Sequence, residues 1–258
     1  SAALVPAGAR ARGRVRAKQT LVVCGLPLLD VVFRRLGEVR VVVDAKEGSE
    51  ARSGQVLATL EGDARALLAG ERAALNLLQH LCGIATLTRA YVERVAGTPL
   101  VVRDTRKTIP GMRALAKYAV RTGGGVNHRL GLDDAILVKD NHLALRGGDL
   151  REAVRAARAA SPDLPVEVEC RTLLEVAEAV EAKPDLILLD NMGLGDLREA
   201  VRRVGGRVPL EVSGGVTLDA LPAIAALGVQ LVAIGALTHS APAADLHLKI
   251  EPLPAETT

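Results

Sequence analysis

Between residues 135 and 236 short apolar runs recur at regular intervals, at 135–138, 166–168, 186–189, 210–212 and 231–234. Each is too short for a helix and rich in Leu or β-branched residues, so each predicts a buried strand. The stretches between them, 149–160, 173–182, 197–204 and 218–227, place apolar residues at helical spacing. Strands alternating with amphipathic helices predict βα units around a parallel sheet. Residues 100–102 and the short stretch 125–127 extend the series backwards, to about seven strands in all. A closed or nearly closed α/β barrel is the first expectation and an open doubly wound sheet the second. No GxGxxG opens the series, which disfavours a dinucleotide fold.

The first 64 residues are patterned differently. Residues 10–18 alternate basic and small side chains, and 39–43 and 55–61 read as strands punctuated by turns at Gly48, Gly54 and Gly62. A small β-rich sandwich domain is expected, followed by a long helix over 65–95. The tail, 246–253, alternates His247, Lys249 and Glu251 with apolar residues and should return to that domain as a strand. The expected division is therefore 1–95 with 246–258, and 96–245 for the barrel.

Composition narrows the functions. No apolar run approaches the ~18 residues of a membrane helix, and nothing at the start resembles a signal peptide. The chain opens at Ser1 rather than Met, so upstream residues are expected. Cys24, Cys82 and Cys170 are scattered and odd in number, against a disulfide framework or zinc cluster, and the cytosol is the expected compartment. With a net charge of +3, interspersed signs, one Phe, two Tyr and no Trp, the chain lacks the basic face and stacking platform of a nucleic-acid binder. Positive charge should act locally, on a small anion. Only seven of 33 cationic residues are Lys and only four residues are Asn. Lys107, Lys139 and all four Asn (76, 127, 141, 191) fall in the segments singled out below, which hints that Arg or another residue would fail there.

Barrel enzymes carry their chemistry at the C-terminal ends of strands, and polar residues gather there. Arg106, Lys107, His128, Arg129 and Lys139 make a cationic bowl suited to carboxylates and phosphates. Glu169 and Asp190, on neighbouring strand ends, are oxygen ligands suited to Mg2+ shared with a substrate. Ser213-Gly214-Gly215 and Gly235-Ala236 follow the last two strands, where small residues let backbone N–H groups approach a phosphate.

The run Asp104-Thr105-Arg106-Lys107-Thr108, with Pro110-Gly111-Met112-Arg113, Asn127-His128-Arg129, Val138-Lys139-Asp140-Asn141-His142, Glu167-Val168-Glu169-Cys170, Leu189-Asp190-Asn191, Glu211-Val212-Ser213-Gly214-Gly215 and Gly235-Ala236-Leu237-Thr238-His239-Ser240, resembles the quinolinate phosphoribosyltransferases in one colinear order. Gly70-Glu71-Arg72-Ala73-Ala74-Leu75-Asn76 and Gly83-Ile84-Ala85-Thr86 belong to the same resemblance. It implies a type II phosphoribosyltransferase fold and a two-fold dimer, with hexamers in some members. The implied reaction joins quinolinate to phosphoribosyl pyrophosphate, releasing nicotinate mononucleotide, CO2 and pyrophosphate. It further implies that Arg106, Arg129 and His128 hold the quinolinate carboxylates, with Arg72 entering from the partner subunit. Lys107 and Lys139 line quinolinate and the pyrophosphate; Glu169 and Asp190 bind the ribose hydroxyls and Mg2+. Thr105, Ser213, Gly214, Gly215, Ile234, Gly235, Ala236 and His239 complete the substrate and phosphate contacts. The chain departs from the family's usual residues at Ile109 and Cys82, neither of them charged.

Three rival readings remain at this point. A molybdenum-locus relative of the same family is one, and a Schiff-base barrel aldolase with Lys139 as nucleophile another. A non-catalytic phosphate-binding module is the third, although it would not need Glu169 and Asp190.

Overall fold

A computed structural model describes residues 3–254. In chain order the elements are β1 (Arg10–Ala17), β2 (Leu21–Val22), α1 (Pro27–Phe33), β3 (Val39–Val43), β4 (Glu50–Ala51), β5 (Val56–Asp63) and α2 (Ala64–Arg94). There follow β6 (Val101–Arg103), α3 (Arg113–Gly123), β7 (Ile136–Val138), α4 (Asp140–Leu145), α5 (Leu150–Ala160), β8 (Val166–Cys170) and α6 (Leu173–Ala182). The chain ends with β9 (Leu186–Asp190), α7 (Leu194–Val204), β10 (Leu210–Ser213), α8 (Leu221–Ala225), β11 (Leu231–Ala233), α9 (Ala236–His239) and β12 (Leu246–Pro252).

The chain divides into two compact units. The first runs through Arg89 and takes in 118–124 and the residues from Ser240; the second holds 90–117 and 125–239. This differs from the division at 95 and 245 read from the sequence. The second half of α3 goes with the first unit because Tyr118 Oη donates to Glu47 Oε2 (2.7 Å) and Gly123 O accepts from Arg89 Nε (2.9 Å).

In the first unit an antiparallel sheet has the order β12-β1-β5-β3. Ala11, Val15 and Ala17 of β1 are buried while the arginines between them alternate outwards, the two-residue period of a half-buried strand. Those arginines find acids on neighbouring strands, Arg12 on Glu61 and Arg14 on Glu251 at 2.9 Å. The tail thus returns as a strand, pairing Leu246 with Ala17 and Pro252 with Ala11. Asp63 Oδ1 accepts the N–H of Ala66 (2.7 Å) and so starts α2.

In the second unit six parallel strands have the order β6-β11-β10-β9-β8-β7. The expected seventh strand is reduced to a single bridge between Arg103 and Val126. The ladder stops there because the Asp104 carboxylate takes the next N–H, that of His128, at 2.8 Å. Along β8 all five residues are buried although two are Glu. Alternation turns Val166, Val168 and Cys170 to one face and Glu167 and Glu169 to the other, the barrel interior. Thr172 and Glu175 form a capping box at α6, and Gly205 ends α7 in the left-handed region (φ 56). Helix α3 was not legible as a helix in the sequence, because its buried stripe of Ala116, Ala119 and Val120 includes Lys117, 2% exposed. The three cysteines are free and buried, and burial pushes the Cys82 and Cys170 thiols up to about 12. No helix among the described residues is long and apolar enough to cross a membrane.

Candidate active site

Residues from all six parallel strands, or the loops just beyond them, line one cavity of about 520 Å³. A flat sheet would not bring both its edges to one pocket, so the sheet curls into a barrel. Thr105, Arg106, Lys107, His128, Arg129 and Lys139 line it together with Glu169, Asp190, Ser213, Gly214 and Gly215. Leu137, Leu188 and Ala233 supply apolar wall. Eleven of the residues expected at the site are therefore brought together. Arg72 is not among them: it lies on α2 in the first unit, largely exposed and 3.4 Å from Glu71. Ile234, Gly235, Ala236 and His239 do not line the cavity, but Gly235 stands against it. A Cβ there would come 3.1 Å from His239 Nε2 and 3.3 Å from Lys107 Cδ.

The loop after β6 is braced from beneath. Arg113 bonds Thr108 Oγ1 (3.3 Å) and the Arg106 carbonyl (3.4 Å), and Thr238 Oγ1 donates to the Lys107 carbonyl (2.8 Å). Among the described residues no carboxylate pairs with Arg106, Lys107 or Arg129. Arg106 Nε is buried without any hydrogen-bond partner. Burial, and after it the charge of Arg106, lowers the pKa of Arg129. Two partly buried guanidiniums thus repel one another without a direct carboxylate partner, although the more distant charges of Glu167 and Asp134 partly offset that of Arg129, and an arriving anion would relieve the cost.

Opposite them, Glu169 is 7% exposed and pairs with Lys139 Nζ. The sequence reading missed Arg171, which also lines the cavity and reaches three acids: Asp140 at 2.6 Å, Glu169 at 3.6 Å and Asp190 at 3.7 Å. Its position next to the Glu167–Cys170 motif was the available signal. Asn191 has φ 56 and its side chain bonds Asp190 (2.8 Å). Gly214 (φ +88) must be glycine, since a Cβ would lie 2.3 Å from Asn191 Oδ1 and 2.7 Å from its backbone nitrogen. A Cβ at Gly215 would meet nothing within 4 Å, so open space lies beside that backbone. The helical stretch expected over 218–227 is realised as the short helix α8, Leu221–Ala225.

Beneath the cavity lies a second polar layer that the sequence reading did not assign. Asp104, fully buried, accepts from Lys117 Nζ (2.6 Å), the His128 N–H (2.8 Å) and Asn127 Nδ2 (2.6 Å), while Lys117 Nζ also reaches the His128 carbonyl (2.8 Å). The His128 ring is engaged at both nitrogens: Nδ1 accepts the Arg129 N–H (2.8 Å) and Nε2 stands 3.2 Å from Glu167 Oε2. Glu211 Oε2 lies 4.0 Å from Nε2 and 2.7 Å from Arg103 Nη1. His128, Glu167 and Glu211 are the one group of three metal-ligating side chains close enough to share an ion among the described residues. Arg103 already supplies positive charge there. Glu169 and Asp190 form no such three-residue cage, which suits Mg2+, an ion that keeps substrate oxygens among its ligands.

The family profile described as "Quinolinate phosphoribosyl transferase, C-terminal domain" matches residues 84–249, and its N-terminal counterpart matches residues 1–82. The chain belongs to the quinolinate phosphoribosyltransferase family. A relative from Mycobacterium leprae named "Nicotinate-nucleotide pyrophosphorylase [carboxylating]" is 47% identical over 96% of this chain and 89% of its own length. The human protein of that name is 41% identical over 96% of this chain and 85% of its own. Among solved structures, NadC from Streptococcus pyogenes matches with a TM-score of 0.92 at 40% identity, covering 98% of this chain and 90% of that one. Family membership sets the aldolase reading aside. The site agrees, since Lys139 is paired with Glu169 and not enclosed in an apolar wall.

Proposed function

We propose that this chain transfers the phosphoribosyl group of phosphoribosyl pyrophosphate to quinolinate with loss of CO2, giving nicotinate mononucleotide in NAD biosynthesis. The observation that carries this reading is the pair Arg106 and Arg129, charged, partly buried and without a carboxylate between them. Two guanidinium forks match a dianion with adjacent carboxylates. A monoacid would leave one of them unpaired.

In this reading Arg106 and Arg129 hold the quinolinate carboxylates and Lys107 and Lys139 line both quinolinate and the pyrophosphate. Glu169 and Asp190 accept from the ribose hydroxyls and are the residues that would hold Mg2+. When bound, that ion supplies counter-charge for the leaving pyrophosphate. Ser213–Gly215 and the segment Ile234–Ala236 with His239 bring small side chains and backbone N–H groups to the phosphate. The pyridine nitrogen bonds to ribose C1 as the C1–O bond to pyrophosphate breaks. Loss of CO2 then leaves its bonding electron pair on C2 as a carbanion stabilised by the adjacent positive nitrogen, and that pair takes up a proton. Positioning two anions and compensating their charge is the protein's task. No covalent nucleophile is required.

The proposed working unit is a cytoplasmic homodimer, with a hexamer as the alternative, in which Arg72 enters the partner's cavity. The test is formation of nicotinate mononucleotide from quinolinate and phosphoribosyl pyrophosphate, with nicotinate as the control. Discrimination of roughly 10³-fold or more in kcat/KM is expected. Comparable rates with nicotinate would overturn the reading.

A further inference from the structure

The His128 ring lies between two spaces. With Arg129 it lines both the substrate cavity and a second one of about 290 Å³, whose lining includes Ala135, Pro165 and Pro209, which precede β7, β8 and β10. The second space therefore opens at the opposite end of the barrel. A side chain dividing two cavities needs its orientation held, and His128 is held twice over. Its backbone hangs on Asp104 and Lys117, and its ring is clasped between the Arg129 N–H and Glu167.

We infer that Glu167, backed by Glu211 and Arg103, is a positioning residue for the transferase reaction, fixing His128 as its Nε2–H tautomer in the floor of the substrate cavity. The backbone N–H of Arg129 points at Nδ1, which must then present a lone pair, so the ring proton sits on Nε2. From there it is donated to Glu167 Oε2, within the barrel. Glu211 Oε2 stands 4.0 Å from Nε2, too far to hydrogen-bond it, and is itself held by Arg103. The charged groups in direct reach are Glu167 from β8 and, through Glu211 of β10, Arg103 of β6, with Asp104, Lys117 and Arg129 about its backbone and Arg106, Lys107 and Lys139 in the cavity it shares. Both nitrogens being spent, His128 offers the substrate its ring and not an N–H. The carboxylate-binding donors are then the guanidiniums and lysines above it, and the ring sets the depth to which quinolinate sinks between them.

This inference rests on the transferase reading for its kinetic arm only; the tautomer is read on the free protein. With five histidines in the chain, nitrogen-15 NMR on histidine-labelled enzyme resolves the ring of His128, assigned by its loss in His128→Gln. The expected wild-type pattern is one protonated Nε2 and one unprotonated Nδ1. Glu167→Leu removes the acceptor, and the pattern should become a tautomer mixture while the KM for quinolinate rises about tenfold or more, as for a misplaced floor. Glu167→Gln keeps an amide oxygen for Nε2–H and should restore the single tautomer and a KM within about threefold of wild type. A mixed or Nδ1–H ring in the wild-type enzyme overturns the inference whether or not the leucine variant folds. So does a folded Glu167→Leu with the wild-type spectrum and KM. One tightly held divalent metal per chain in dialysed wild-type enzyme, lost in Glu211→Gln, would equally overturn it by making the group a metal site. Absence of transferase activity with the expected tautomer present would instead count against the proposed function.

Discussion

Lys117 Nζ lies 2.6 Å from Asp104 Oδ1, and neither side chain reaches solvent. The pair joins α3 to the end of β6 and suspends the backbone of His128 between them. Burial lowers the pKa of Lys117, and the bond to Asp104 opposes that shift. Lys117→Met should therefore leave Asp104 as a buried charge without its partner and destabilise the fold by about 3–5 kcal/mol. Denaturant unfolding measures this, and a loss below about 1 kcal/mol would show that water or relaxation replaces the lysine.

Glu211 gives a pH dependence with a definite sign. Burial, and then the neighbouring charge of Glu167, pushes its carboxyl from 4.5 up to about 7. The folded chain thus keeps a proton there that the unfolded chain releases near 4.5. That stabilisation is complete below the lower value and disappears as pH rises through the higher one. Glu211→Gln imitates the protonated form, so its Tm relative to wild type should be more favourable at about pH 8.5 than at about pH 6. Parallel Tm curves for the two proteins would place the proton elsewhere.

Asp190→Asn should lower turnover on the order of 10²-fold while quinolinate still binds, since the ion pair of Asp190 is with Arg171 and not with Arg106 or Arg129. Calorimetric titration with quinolinate separates the two effects. Unchanged turnover at saturating Mg2+ would remove Asp190 from the ribose and metal role.

Arg72 tests the shared site. Mixing inactive Arg72→Ala chains with inactive Arg106→Ala chains should restore activity, because a mixed dimer contains one pocket with both arginines. Random exchange makes about half the dimers mixed, each with one good pocket of two, so recovery should approach roughly a quarter of wild type. No recovery after confirmed exchange would put Arg72 outside the partner's chemistry and leave it as the surface partner of Glu71.

What the sequence determined by itself is what local chemistry repeats. Short apolar runs separated by amphipathic stretches carry the βα order, and alternation in 10–18 and 246–253 carries two strands of the first sheet, because burial on one face imposes a period that neighbours in sequence display. The charged residues at strand ends were legible for the same reason: a barrel strand that ends in Lys139 or Asp190 puts it at the rim wherever its partners lie. Tertiary structure alone decided the layer beneath. Glu167 and Glu211 belong to strands that read as apolar runs, and they are tolerated inside only because β6 sends Arg103 and the loop at 128 sends His128 to the same point. Lys117 carried no signal in the sequence, and only the fold sets Asp104, 13 residues away, against it. Nor could the sequence shorten the seventh strand to one bridge, since the N–H that would continue the ladder is claimed by a carboxylate across the fold. Buried polar groups are set by their partners, and partners distant in sequence are chosen only when the chain closes on itself.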